Sequence, residues 1–246
     1  MSNGDRPWYR DPPKLVPVIV GVIAIFTGAA AIVRSLKPSP PDVTVEYVLD
    51  VSHGMIGRIG HKDKLRAVEA EIVEHARDRP NSATALRLAG GQGCSTSYRP
   101  PTVPFGEDNG DRIEEAFQHV SAGGRSDFAR AMAQAANDLQ GHGREVQGKS
   151  KTVFLFVGGR DTCSGHRATG LVQQALEDLR GKLNVEVTFK FVGVKPRRGV
   201  RHFLRAVSRK ARQLDFGADV VIARRPGDLA NALPGPPSSG GSEYPP

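Results

Sequence analysis

The fold is decided by residues 43–54, Val-Thr-Val-Glu-Tyr-Val-Leu-Asp-Val-Ser-His-Gly. In this stretch a run of strand-forming residues is followed directly by two polar residues, Asp50 and Ser52. Its valines, with Tyr47 and Leu49, favour a buried β-strand, and the glycines that follow favour a break in that strand. Asp50 and Ser52 are therefore predicted at the carboxyl edge of a sheet. In open α/β sheets this edge is where ligands bind.

The rest of the chain alternates predicted strands with amphipathic helices, recognised by apolar residues at three- and four-residue spacing. Further strands are predicted at 83–89, 151–157, 185–192 and 218–223, with an edge strand near 95–99. Helices are predicted at 62–77, 111–120, 127–139, 168–180, 199–214 and 228–233. This alternation predicts one α/β domain over residues 42–233, with a doubly wound, mostly parallel sheet and helices on both faces.

Residues 15–33 form an uncharged run that is long enough to cross a hydrocarbon core as a helix. A cleaved signal peptide is the alternative, because the small residues 29–31 suit a cleavage site. We favour a retained anchor, since the run exceeds the usual ~7 to 15 residues of a signal core. The basic residues in the polar segment 1–14 predict a cytoplasmic N-terminus and an extracytoplasmic domain. Residues 34–41 are predicted as a Pro-rich linker, and residues 234–246 as a disordered Pro/Gly/Ser tail.

The formal charge of +8 suits an acidic protein, an anionic lipid or a nucleic acid as a partner. Part of this charge forms a basic stripe on the helix predicted at 199–214 and the turn before it. The stripe consists of Arg197, Arg201, Arg205, Arg209 and Arg212. A solvated helix face is the alternative to a partner site. Nucleic acid is not expected, because the few aromatic residues are assigned to strands and core rather than to a stacking platform. An unidentified protein partner is expected, and contact with anionic lipid stays open.

Three loops, in order, resemble the von Willebrand factor A domain, whose top face carries a metal-ion-dependent adhesion site. The first loop has Asp50 and Ser52 of the family's Asp-x-Ser-x-Ser pattern, with Gly54 in the last place. In the second, Ser126 stands where the family has a threonine before an alanine-rich helix. In the third, Gly158 takes the place of an aspartate. The resemblance covers residues 42–233 and implies the same doubly wound fold.

The resemblance also implies a degenerate metal site, because Gly54 lacks a hydroxyl and Gly158 lacks a carboxylate. The oxygen ligands that remain are Asp50, Ser52, Ser126 and, if it reaches inward, Asp161. A generic loop carboxylate is the alternative for Asp161. Mg²⁺ prefers a full octahedral set of oxygen ligands, so we expect no cofactor, or Mg²⁺ bound only weakly. Gly54→Ser with Gly158→Asp is expected to raise Mg²⁺ affinity, provided that both loops keep their shape.

Domains of this family from bacterial envelopes often pair cysteines in two of these loops, which implies a disulfide between Cys94 and Cys163. Two buried free thiols are the alternative, and a reducing cytosol would favour them. The disulfide and the predicted topology agree with each other.

Two functions are consistent with the sequence. The first is a membrane-tethered protein-interaction module, of adhesion or assembly type, that uses the top-face loops. The second is a metal-dependent enzyme or catalytic subunit at the same edge, with Ser52 as nucleophile and His53 as base. Catalysis requires a group that orients the base, and the sequence shows none. The interaction module is therefore preferred, and the chain is not expected to be an enzyme.

Overall fold

The structure is a computed structural model that describes residues 41–91, 93–94, 100–141 and 146–233. The predicted membrane anchor at 15–33, its polar flank, nearly all of the linker and the C-terminal tail lie outside these residues. The edge strand predicted near 95–99 also lies outside them. Within the part of the chain that is described, no helix is both long and apolar enough to cross a membrane.

The strands of the described residues form a six-stranded sheet and a separate two-stranded hairpin. Their bounds are β1 Val43–Asp50, β2 Arg58–Ile59, β3 Lys62–Asp63, β4 Ala83–Ala89, β5 Val103–Gly106, β6 Ser150–Val157, β7 Glu186–Val194 and β8 Gly217–Ala223. The order in the main sheet is β5-β4-β1-β6-β7-β8, and only β5 is antiparallel to its neighbour. β1, which ends at Asp50, therefore lies between β4 and β6 near the middle of the sheet.

Helices cover both faces of this sheet. Their bounds are α1 Lys64–Arg77, α2 Gly110–Phe117, α3 Phe128–Asp138, α4 Ala168–Arg180, α5 Arg198–Gln213 and α6 Pro226–Ala230. α3, α4 and α5 pack on one face and α1, α2 and α6 on the other. β1 supplies both cores, because Val48 points to the first face whereas Tyr47 and Leu49 point to the second. Burial on both faces explains the near-continuous apolar run in β1 and β6.

The prediction of a mostly parallel, doubly wound sheet is confirmed, and β4 and α4 have the predicted bounds. The antiparallel edge strand of the described residues is β5, which the sequence did not predict. β5 contains Pro104, which lacks a backbone N–H and is tolerated at a sheet edge but not at its centre. The β2–β3 hairpin was also missed, since two-residue strands are too short to show an alternating pattern.

The sheet also buries a charged group away from its carboxyl edge. Arg87 Nε on β4 donates a 2.9 Å hydrogen bond to Glu46 Oε1 on β1, and Arg87 also pairs with Asp138 at the end of α3. Burial raises the pKa of Glu46 to about 7, against the attraction of Arg87. Glu46 precedes Asp50 by four residues, which is about 13 Å along a strand. This group is therefore structural and separate from the site at the edge.

Candidate functional site

Asp50 ends β1 at the carboxyl edge and is completely buried. Its Oδ1 accepts hydrogen bonds from the backbone N–H of Ser52 at 3.1 Å and from the hydroxyl of Ser126 at 3.0 Å. Ser126 lies two residues before the start of α3, next to its N-cap residue Asp127. The structure thus brings together three of the four side chains that the sequence nominated as metal ligands.

The carboxylate of Asp50 is held in a low-dielectric environment. Burial raises its pKa from 3.8 to about 6, while the hydrogen bonds from Ser52 and Ser126 and the nearby amide of Gly158 lower it. Its second oxygen, Oδ2, makes no hydrogen bond to any described residue. One buried carboxylate oxygen is therefore left with incomplete solvation.

Asp161, the fourth nominated ligand, is turned toward the protein backbone. Its Oδ2 accepts a 2.8 Å hydrogen bond from the N–H of Ala129, in the first turn of α3. Its Oδ1 accepts from the N–H groups of Cys163 at 3.0 Å and Ser164 at 2.6 Å. Both carboxylate oxygens are thus engaged, and Asp161 caps α3 from outside the helix.

The glycines in the two altered loop positions pack backbone against backbone. A Cβ atom built on Gly54 would lie less than 3.0 Å from the Cα and N atoms of Gly159. A Cβ atom on Gly158 would come equally close to the carbonyl oxygen of Gly54. The double substitution Gly54→Ser with Gly158→Asp is expected to raise Mg²⁺ affinity only if both loops keep their shape. These distances show that the two new side chains would force the loops apart.

Most of the polar side-chain atoms of these residues are engaged with other groups of the protein. Among the described residues, no group of three or more His, Cys, Asp or Glu side chains is placed to hold a metal ion. The hydroxyl of Ser52 accepts a 3.2 Å hydrogen bond from Gly54 N, and that of Ser126 is directed at Asp50. The ammonium group of Lys64 lies beside the same loop and donates a 3.1 Å hydrogen bond to Gly54 O. Of the side-chain oxygens of Asp50, Ser52, Ser126 and Asp161, only Asp50 Oδ2 makes no hydrogen bond to a described residue, whereas Mg²⁺ prefers a full octahedral set of oxygen ligands.

The predicted disulfide between Cys94 and Cys163 is present, with Cα atoms 5.5 Å apart. It joins the loop after β4 to the loop after β6. The second of these loops holds Ser126 in place: Ser126 N donates to Thr162 Oγ1 at 2.8 Å, and Cys163 N donates to Ser126 O at 2.9 Å. The cross-link therefore fixes the loop that positions the Ser126 hydroxyl beside Asp50.

The basic stripe lies on α5 and the turn before it, as predicted, but the structure divides it. Arg201 lines a recess at the carboxyl edge. Arg205, Arg209 and Arg212 line a second recess beside the edge strand β8. None of these four, nor Arg197, forms an ion pair with a carboxylate of the described residues.

The sequence analysis missed the cations that surround Arg201 at the edge. They are Arg58, Lys64, Lys195 and Arg224. Arg58 begins β2, Lys64 begins α1, and Lys195 and Arg224 directly follow β7 and β8, so the four lie on separate segments and no single periodic pattern marks them. The positive φ of Lys195, 45°, is a signal that only coordinates show.

No protein-family model matches the sequence, and no characterised sequence matches it either. Solved structures do match. The SpRpn10 VWA domain is 15% identical, with a TM-score of 0.53 over 78% of this chain and 94% of that one. An aerotolerance-related membrane protein from Bacteroides fragilis is 11% identical, with a TM-score of 0.54 over 77% and 94%. The PilB minor pilin from Streptococcus sanguinis is 11% identical, with a TM-score of 0.55 over 80% and 60%. These matches show a von Willebrand factor A-like fold.

Proposed function

We propose that this chain is a membrane-tethered, extracytoplasmic protein-interaction module, of adhesion or assembly type, that binds its partner through the carboxyl-edge loops without a divalent cation. One observation carries the proposal: the polar centre of this edge is buried, with Asp50, Ser52 and Ser126 each at most 2% exposed. The adjoining loops pack through the backbones of Gly54 and Gly159, so a partner meets the outer side chains of the loops. Ile56, on the first loop, is 49% exposed and is the most exposed large apolar side chain of the described residues.

Metal independence follows from the same geometry. The Ser126 hydroxyl hydrogen-bonds directly to Asp50, and Asp161 caps α3. A cation coordinated by Ser126 or Asp161 would require these contacts to break. We therefore expect Mg²⁺ to bind weakly or not at all, and partner binding to survive a chelator.

No structural observation favours the alternative function, a metal-dependent enzyme. Ser52 is only 2% exposed, and its hydroxyl accepts a hydrogen bond from Gly54 N. The side chain of His53 makes no hydrogen bond to a described residue, although its backbone N–H donates to Gly124 O. A nucleophile and a base that do not contact each other lack the geometry of a catalytic pair.

The membrane tether rests on the apolar run at 15–33 and on the disulfide, which suits an oxidising compartment. Two of the structural relatives are described as a membrane protein and a minor pilin. These descriptions are compatible with a protein of the cell envelope, where such interaction modules operate.

Photocrosslinking of the full chain in its native membrane tests the proposal. The variant Ile56→p-benzoylphenylalanine is expected to give a crosslinked protein adduct whose yield is the same with EDTA and with Mg²⁺. The matched control places the same probe at Val185, which is 37% exposed directly before β7, at the opposite edge of the sheet. Equal adducts from both positions, or none from Ile56, would contradict the proposal. An adduct that disappears with EDTA would contradict the metal independence.

A further inference from the structure

A recess of about 480 Å³ lies at the carboxyl edge, between the loop after β1 and the ends of β7 and β8. We call it the basic recess. It is lined by five cationic side chains, Arg58, Lys64, Lys195, Arg201 and Arg224, and by no acidic side chain. Its apolar wall includes Ile56, Pro196 and Ile222.

Among the described residues, Asp228 lies close enough to Arg224 for their charges to interact, and Asp50 lies near Lys64. No described carboxylate forms an ion pair with Lys64, Lys195 or Arg201. The Nε atom of Arg201 is buried and has no hydrogen-bond partner among the described residues. An unsatisfied buried donor on a charged group costs free energy, and an anion placed at that point would recover it.

Two of the cations are fixed in place but retain donors. Lys64 Nζ donates to Gly54 O at 3.1 Å, and Lys195 Nζ donates to Arg58 O at 3.1 Å. An ammonium group has three N–H donors, so each lysine keeps donors that face the recess or solvent. Lys195 also has the left-handed φ of 45°, which is uncommon for a residue with a side chain. Such strained positions are concentrated at binding sites.

The lysines also influence each other electrostatically. The pKa of Lys64 is lowered by partial burial and by the neighbouring charges of Lys195 and Arg197, while Asp50 raises it. Gathering like charges in one recess is unfavourable unless an anion joins them. The single buried carboxylate nearby, Asp50, does not balance five cations.

We propose that the basic recess binds the carboxylate side chains of an acidic segment of the protein partner. The inference rests on the proposed function and names the chemistry of the partner. The mixed lining supports this choice: cations bind the carboxylates, while Ile56 and Pro196 contact apolar side chains of the same segment. The lysines and arginines thus recognise the acidic group directly, without a metal ion between them.

The test uses the full chain in detergent micelles and a fluorescent peptide of alternating Glu and Leu, with a peptide of alternating Gln and Leu as the uncharged probe. Affinity is measured by fluorescence anisotropy for the wild type and for Lys64→Gln/Arg201→Gln. The matched control is Arg205→Gln/Arg209→Gln, which removes the same charge from α5 outside the recess. We expect the recess variant to bind the Glu peptide about a hundredfold more weakly, since each of the two lost charged hydrogen bonds accounts for about a factor of ten. The control variant is expected to bind like the wild type.

Three results would overturn the inference. Equal loss in both double variants would show general charge attraction, and equal affinity for the Gln peptide would show that carboxylates are not recognised. The third result concerns vesicles of phosphatidylcholine and phosphatidylserine in equal parts. If the wild type binds these vesicles but not the Glu peptide, and the recess variant does not bind the vesicles, the recess binds lipid. Thermal melting of each variant by circular dichroism confirms that the fold is retained.

The Ile56 crosslink separates this inference from the proposed function. An adduct that persists undiminished in the Lys64→Gln/Arg201→Gln chain would leave the interaction module standing and exclude the recess as its contact. A reduced adduct in that chain, but not in the Arg205→Gln/Arg209→Gln chain, supports both. Failure of the adduct in every chain would contradict the proposed function itself.

Discussion

The hydroxyl of Ser126 donates a 3.0 Å hydrogen bond to Asp50 Oδ1 and so joins two loops that are 76 residues apart in the chain. The sequence places both side chains in a metal-site pattern. In the folded chain the two side chains bond to each other, although Asp50 Oδ2 makes no hydrogen bond to a described residue, and the backbones of Gly54 and Gly159 pack together in the adjoining loops. A set of residues that resembles a cation site thus also stabilises the carboxyl edge without one.

The burial of Asp50 predicts a specific pH dependence. Its pKa of about 6 exceeds the ordinary value of 3.8, so the folded chain holds this proton more tightly than the unfolded chain does. The free energy of unfolding should therefore fall as the pH rises from about 4 to 6, by on the order of 3 kcal/mol from this group. Urea denaturation across this range should show a shallower fall for Asp50→Asn than for the wild type.

Burial also raises the pKa of Glu46 and Glu69, and both residues remain in Asp50→Asn. The difference between the wild type and this variant therefore isolates the contribution of Asp50 to the pH dependence. Parallel pH profiles for the wild type and Asp50→Asn would contradict the assignment.

The contact between the loops predicts that Gly54 does not tolerate a side chain. Gly54→Ala would place Cβ against the backbone of Gly159 and is expected to lower the free energy of unfolding by about 1 to 3 kcal/mol. The control is Gly123→Ala in the loop before α3, where a Cβ atom meets nothing within 4 Å. That variant should be neutral or slightly more stable. Equal chemical denaturation midpoints for the two variants would argue against the packed loops.

Asp161 is predicted to contribute to stability rather than to metal binding. Asp161→Ala removes three hydrogen bonds to backbone N–H groups and is expected to cost about 1 to 3 kcal/mol. Asp63→Ala is the control, since Asp63 occupies the N-cap position of α1 without a side-chain capping bond. Thermal melts should show a lower midpoint for Asp161→Ala alone. Calorimetric detection of tight Mg²⁺ binding by the wild type, abolished in Asp161→Ala, would instead make Asp161 a ligand.

The disulfide is expected to stabilise the domain, because it closes a loop across a sequence separation of 69. The chain-entropy relation gives about 4 kcal/mol for a loop of this length. Cys94→Ser/Cys163→Ser should lower the denaturation midpoint, and reductant should lower that of the wild type but not of the variant. Complete alkylation of both thiols without reductant, in protein from its native compartment, would show that the bond does not form there.

The apolar run at 15–33 predicts the topology of the chain in the membrane. With a cytoplasmic N-terminus, residues 42–233 face the outside, and protease added to intact spheroplasts should remove the domain. An epitope placed before residue 15 should stay protected in the same experiment. Protection of the domain until the cells are lysed would reverse the orientation.

The sequence by itself determined the parallel strands, the helices and their alternation, because these depend on local apolar spacing, but it missed β5 and the β2–β3 hairpin. It also located the polar edge, since Asp50 and Ser52 directly follow an apolar strand and Ser126 directly precedes a helix. The pairing of Cys94 with Cys163 followed from the family resemblance, and the structure agrees with it. Apart from that pairing, each of these features can be recognised in a short segment of chain.

The tertiary structure alone decided what the edge contains. Gly54 and Gly158 look like lost ligands in the sequence, but their close contact arises between loops about one hundred residues apart. Asp161 turns toward α3 because unpaired N–H groups there compete for its carboxylate. The cations of the basic recess come from separate segments, between Arg58 and Arg224, and meet only because parallel strands end at one edge. Such a cluster has no sequence period, since its spacing is set by the folded sheet rather than by one helix or strand.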